Sequence, residues 1–187
     1  MIQTLLNIQK NRSDKKWTWQ DNFCRLTWEL VYPLFRFSPR PLWGWRRGLL
    51  RAFGASIGKG AHIHPSVKIA IPWNLELGSQ AAVGEFAIIY NLGVTRIGPD
   101  ATVSQGVHLC AGTHDYRLSH MPLIKSPISV GKGAWLCAEA FIGPGVSIGN
   151  YAIVGARGVV MKDVADWQIV AGNPAIVIKQ RPRPIDQ

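Results

Sequence analysis

The side chains best suited to proton transfer, nucleophilic attack or metal binding in this 187-residue chain are five histidines (His62, His64, His108, His114 and His120) and three cysteines (Cys24, Cys110 and Cys137). Imidazole has an ordinary pKa near 6.5, so a histidine can take up and return a proton near neutral pH. An odd number of cysteines with no C-x-x-C spacing favours neither a disulfide framework nor a cysteine zinc site, and fits a reducing cytosol. His114 stands apart from the other histidines. It lies in "LCAGTHDY" with Asp115 beside it, and the "RLSHMPLIKSP" that follows breaks a spacing kept on either side. Asp115 is a candidate to orient His114 or to bind hydroxyl groups, although neighbouring side chains diverge along a strand.

That spacing is six residues. Aliphatic anchors recur at Ile57, Ile63 and Ile69, at Ile71, Leu77, Val83 and Ile89, and at Ile97, Val103 and Leu109; they resume at Val130, Leu136, Ile142, Ile148, Val154 and Val160. Glycine follows the anchor at eight positions, and alanine often comes fourth after it. Neither a helix nor a simple strand repeats at six. The pattern predicts an all-β fold, a parallel β-helix of triangular section in which each hexad supplies one short strand and one corner and eighteen residues close a turn. Anchors eighteen apart then form aliphatic columns, and glycine and small residues serve the corners. The stretch Asp115 to Pro127 is expected to leave the coil as an external loop beside His114, and loops of this size in compact domains tend to be functional.

Three segments follow: a basic, aromatic, partly helical cap over 1–56, the β-helix over 57–165 with its loop at 115–127, and a tail over 166–187 that bends at Asn173-Pro174. With 47% hydrophobic and 17% charged residues the chain can bury a core. Residues 1–60 hold 11 Lys and Arg against 3 Asp and Glu, and five of the eight tryptophans, so the basic excess belongs to the cap. Phe23, Leu26, Leu30, Val31 and Leu34 recur there at helical spacing. The favoured reading is an element packed on the prism with its basic side solvated. Peripheral contact with an anionic membrane is the next, and nucleic acid is disfavoured because no nucleic-acid motif accompanies the charge. The short apolar start is too little for a signal peptide and no membrane-spanning run is evident, which points to the cytoplasm or its membrane face.

The segments "CAGTHDY", "GAWLCAEAFIGPGVSIGNYAIVGARGVVMKDV" and "VAGNPAIVIK" resemble the hexapeptide-repeat acyltransferases, the group of the maltose, galactoside and nodulation-factor O-acetyltransferases. Within that group "SPRPLWGWRRGLLRAFGASIGKG", "PWNLELG", "YNLG" and "SQGVHLCAGTHDY" are similar to the branch associated with colanic acid and related exopolysaccharides. The resemblance implies a left-handed coil, a homotrimer with active sites between neighbouring prisms, and acetyl transfer from acetyl-CoA to a sugar hydroxyl without a metal. It assigns His114 as the catalytic base, Asn91 as an acceptor contact, and Ala138, Ala156, Met161, Lys162 and Lys179 as CoA contacts. Asn91 also reads as a corner asparagine. A hydroxyl is too weak an acid to attack a thioester unaided, and general-base help from imidazole is worth roughly 10²–10⁴ in rate.

Two other readings compete. One is a metal enzyme of the γ-carbonic-anhydrase type on the same architecture, but His108 and His114 are six apart and so fall on different faces of a coil. The other is a prism that binds a ligand or partner without catalysis, against which stand His114, its loop and the small residues of the CoA contacts.

Overall fold

The structure is a computed structural model that describes residues 6–183, so the first five residues of the expected cap and the last four of the tail lie outside the described residues. The chain forms a left-handed parallel β-helix of about six turns behind a short helical region. One face stacks β1 (Ser56–Ile57), β4 (Leu75–Leu77), β7 (Thr95–Ile97), β12 (Ile128–Val130) and β15 (Ser147–Ile148). The second stacks β2 (His62–Ile63), β5 (Ala82–Val83), β8 (Thr102–Val103), β13 (Trp135–Leu136) and β16 (Ile153–Val154). The third stacks β3 (Lys68–Ile69), β6 (Ile88–Tyr90), β9 (His108–Cys110), β14 (Phe141–Ile142) and β17 (Val159–Val160). All sixteen aliphatic anchors are buried, as are the alanines fourth after them, among them Ala61, Ala81, Ala101, Ala134 and Ala152.

The turn length departs from expectation in the lower coils. Val130 pairs with Ile148 and Leu136 with Val154, eighteen apart. Ile57, however, pairs with Leu77 and Leu77 with Ile97, so these turns take twenty residues. The additional residues fall at one corner, between the third and first faces, where Ile71 and Asn91 stack. Glycine serves the corners in two ways, by taking left-handed backbone at Gly60, Gly106, Gly133 and Gly145 and by admitting a close neighbouring coil. Gly78, directly after its anchor, is required by close approach, because a Cβ there would lie 2.3 Å from Pro99 N. The left-handed backbone falls two residues later, on Gln80 at φ 56°, and again on Asp100, Glu139 and Arg157. Directly after the anchor, coil-to-coil contact selects glycine, whereas the left-handed position two residues later also takes other residues, at a cost of about 1–2 kcal/mol.

The first coil shows what the basic aromatic segment is for. Its N–H groups donate to the second coil, as from His62 to Ala81 and from Lys68 to Ala87. Its carbonyls face the open end, where an unpaired edge invites association with other strands. Side chains of α2 (Trp19–Arg36) and α3 (Trp43–Ala52) satisfy them. Arg51 donates to Ile57 O, Arg47 to Ala61 O, Arg46 to Ile63 O, Tyr32 to Val67 O and Trp28 to Ile69 O. Trp28, Phe35 and Leu50 complete the plug and join the prism core. A Thr18–Asp21 capping box starts α2. The other end is closed by β18 (Gln168–Gly172), which continues the second face, and by β19 (Ala175–Gln180), which folds back antiparallel on it through Asn173-Pro174.

One feature of the cap reverses its expected orientation. Phe23, Leu26, Leu30 and Leu34 face solvent, with 58–71% of each exposed, while Trp28 and Phe35 on the opposite side of α2 are buried. The apolar spacing was real, but the aromatic side of the helix won the core because Trp28 both fills volume and bonds the coil edge. Among the described residues no helix is long and apolar enough to cross a membrane.

Candidate active site

The irregular segment is a hairpin, β10 (Gly112–His114) against β11 (Leu123–Lys125), with Gly112 opposite Lys125 and His114 opposite Leu123. It leaves the prism at the corner that lengthens the lower turns. The excursion begins at Gly112, three residues before the expected Asp115, because antiparallel pairing draws the residues before the loop out of the coil. His114 is therefore carried by the hairpin itself.

His114 Nδ1 lies 2.7 Å from the Met121 carbonyl. A carbonyl only accepts, so in the neutral ring Nδ1 carries the proton and Nε2 keeps a lone pair. Met121 has φ 41°, a left-handed residue at the end of the hairpin turn. Asn11 supports the same turn by donating its amide to the carbonyls of His120 and Met121, and Asn7 N–H donates to Ser119 O at 2.7 Å. Asn11 belongs to α1 (Ile8–Ser13). This clasp between the first described helix and the histidine hairpin has no periodic or motif signal in the sequence. Asn11→Ala is expected to lower turnover about three- to tenfold, the worth of one hydrogen bond, with CoA affinity unchanged; steady-state kinetics beside CoA titration measures both.

Asp115 does not orient His114. Its carboxylate accepts from Arg117 Nε and from a second guanidinium nitrogen, each at 2.8 Å, and from the Arg117 N–H at 3.1 Å. Those hydrogen bonds and the Arg117 charge lower the Asp115 pKa to about 2. A depressed carboxylate pKa stabilises above the ordinary Asp value, so this clamp is complete from about pH 4 upward and is lost as pH falls through about 2. Asn91 is fully buried, and its amide is taken at both ends by Ile71, accepting from its N–H at 2.9 Å and donating to its carbonyl at 2.6 Å. It holds the corner, and no polar atom of its side chain is left for an acceptor on this surface.

His114 lines a groove of about 410 Å³ between the hairpin, the corner and α2, bordered by Trp17, Arg25, Glu29, Tyr90 and Leu123. Its walls mix the charged side chains of Lys16, Arg25 and Glu29 with the apolar Ile71, Leu92 and Leu123, so the groove offers charged as well as apolar contacts to a ligand. Of the remaining histidines, His120 lies in the hairpin turn and the other three are engaged elsewhere. His62 stacks on Trp43 with ring centroids 4.6 Å apart, His64 bonds Ser66 Oγ at 2.7 Å, and His108 packs edge-on against Phe141. Burial lowers the pKa of His64 and of His108. Among the described residues no group of three or more His, Cys, Asp or Glu is placed to hold a metal ion. Burial pushes the Cys137 thiol up, away from thiolate chemistry.

The five residues expected at CoA do not converge on one protomer. Ala138 and Ala156 sit on successive coils at the corner between the second and third faces, the Ala138 carbonyl accepting from Arg157 N–H. Met161 and Lys162 follow β17 at the histidine corner, and Lys179 lies on β19. All but Ala138 are exposed, on different sides of the prism.

No family model matches the sequence. A protein of Escherichia coli strain K12 bearing the provisional name colanic acid biosynthesis acetyltransferase WcaF is 43% identical over 157 residues, covering 84% of this chain and 86% of that one. Among solved structures, a hexapeptide-repeat acetyltransferase of Vibrio cholerae complexed with acetyl-CoA superposes with TM-score 0.82 at 19% identity, over 97% of this chain and 98% of the other. A galactoside acetyltransferase in complex with coenzyme A gives 0.81 at 22% identity, over 94% and 91%. These two likenesses concern the fold. The identity to the first relative extends over most of both chains, and on that ground the chain belongs to the hexapeptide-repeat acetyltransferase family.

Proposed function

We propose that the protein transfers the acetyl group of acetyl-CoA to a hydroxyl of a sugar or exopolysaccharide precursor, with His114 as general base. The observation that carries this reading is the Nδ1 contact to the Met121 carbonyl, which leaves Nε2 basic on a side chain lining the groove. Nε2 takes the proton of the acceptor hydroxyl as its oxygen bonds the acetyl carbon. The thioester C–S bond then breaks, and the imidazolium returns the proton to the leaving thiolate. Backbone N–H groups of the coil are the available donors for charge developing on the carbonyl oxygen. No enzyme nucleophile takes part, in keeping with the raised Cys137 thiol.

A homotrimer is part of the proposal. Side-by-side prisms would bring the histidine corner of one copy to the second face of the next, uniting Met161 and Lys162 from one side with Ala138, Ala156 and Lys179 from the other. Small alanines admit the pantetheine arm against the coil backbone, and lysines offer point charges to the phosphates. The relative's name supports an exopolysaccharide precursor as acceptor, and the cytoplasm is the compartment proposed for the reaction. Incubation with acetyl-CoA and a panel of nucleotide sugars and lipid-linked glycans is expected to yield product heavier by one acetyl group in mass spectrometry, with one CoA released per product. CoA release without acetylated acceptor across the panel would count against the sugar reading.

A further inference from the structure

The geometry points to a membrane-docking surface on the closed end of the prism: we propose that α2 lies on an anionic lipid bilayer through the face it turns away from the core. Trp19, Phe23, Leu26, Leu30, Leu34 and Phe37 form one stripe, each between 58% and 80% exposed. They run the length of an 18-residue helix, about 27 Å at 1.5 Å per residue. Trp45 of α3 extends the patch, its indole N–H bonded to the Leu34 carbonyl. A continuous patch of this kind on an otherwise well-capped molecule is an interaction surface.

Its orientation follows from the plug. The opposite face of α2 carries Trp28 and Phe35 into the core, and Trp28 and Tyr32 bond carbonyls of the first coil. The stripe is thus directed away from the prism's end, where copies arranged side by side would all present it in one plane.

The chemistry around it selects lipid. Arg36 lies over the Phe37 ring at 5.8 Å, Arg40 pairs with Glu85 at 3.5 Å yet keeps 69% of its side chain exposed, and Arg12 and Lys15 are exposed on the preceding segment. Only three carboxylates occur among residues 1–60 against 11 basic residues, and one of them, Asp21, is occupied in the cap of α2. Tryptophan, phenylalanine and leucine on one side with arginine and lysine at the borders is the composition of a helix lying in a bilayer interface, where each basic residue adds attraction to anionic headgroups. The same helix lends Arg25 and Glu29 to the His114 groove, so docking holds that groove beside the bilayer.

The test is flotation of the full chain with phosphatidylcholine vesicles containing or lacking phosphatidylglycerol, in the absence of acetyl-CoA and acceptor, so that the result is independent of the proposed transfer. Wild-type protein is expected to float with the anionic vesicles and to be released by high salt. The double variant Leu26→Glu, Leu30→Glu alters only exposed side chains and is expected to bind at least about tenfold more weakly, with melting temperature and sedimentation unchanged. Wild-type protein that ignores anionic vesicles, or a double variant that binds them equally well, overturns the proposal. So does a double variant of lower oligomeric mass in vesicle-free buffer, which would assign the stripe to contact between copies.

Discussion

Replacing His114 with alanine is expected to lower the rate of acetyl transfer by roughly 10²–10⁴, the usual contribution of a positioned general base. The ring is exposed and makes one side-chain hydrogen bond, to a carbonyl that Asn11 also serves. The variant should therefore keep its melting temperature, its oligomeric state and its affinity for CoA. The neutral ring is the active form of a general base, so the acceptor-saturated rate of the wild type should rise from acid pH and then level off. That limb should vanish in His114→Ala. Release of CoA followed across pH, with chemistry shown to limit turnover, reads both effects; a wild-type rate with no acid limb would remove the base from the mechanism.

The largest loss of stability is expected from Arg46→Ala, a position remote from the chemistry. Arg46 is fully buried and donates to Ile63 O at 2.7 Å, Ser38 Oγ at 2.9 Å, Pro39 O at 2.9 Å and Arg40 O at 2.7 Å. Its guanidinium also stacks 4.7 Å from the Trp43 ring. Burial lowers its pKa from the ordinary guanidinium value, and among the described residues its hydrogen bonds go to neutral oxygens and to no carboxylate. Truncation empties the site and strands several acceptors, each worth about 1–3 kcal/mol when left unpaired. Partial entry of water recovers some of this, and a loss of about 3–5 kcal/mol is expected. At 2–4 °C per kcal/mol for a chain of this size, the melting temperature should fall by about 10 °C at matched protein concentration. Arg46→Lys keeps a charge but not the fork, and should fall between the two. Thermal melts with light scattering check both the loss and the aggregation expected from an opened strand edge.

Much of this molecule is legible in its residues, and the parts that are not share a cause. The hexad could be read because burial in a prism is periodic along the chain: every anchor and nearly every small residue answers to its own coil position. His114 could be found because it interrupts that period. The twenty-residue turns show in the sequence only as breaks in the count, eight residues from Ile69 to Leu77 and from Ile89 to Ile97, which do not by themselves say that the coil has widened at a corner. The stripe of α2 was visible as a period, but a period does not say which of two apolar sides meets the core. Tyr32 and Trp28 decided that through carbonyls 35 and 41 residues away in sequence.

The candidate site divides in the same way. Local order along the chain identified the histidine, the loop and the small corner residues. Pairing between distant segments chose Met121 and Asn11 as the groups that orient and steady the histidine, gave Asp115 to Arg117, and buried Asn91 against Ile71. The sequence by itself determined the repeating coil and singled out His114 as the candidate base, since both readings depend on side-chain type at a fixed interval or on its interruption. Only the tertiary structure decided the partners of those residues and the outward face of the cap, because hydrogen bonds and burial are settled by proximity in space, which the coil and hairpin create between residues the sequence keeps far apart.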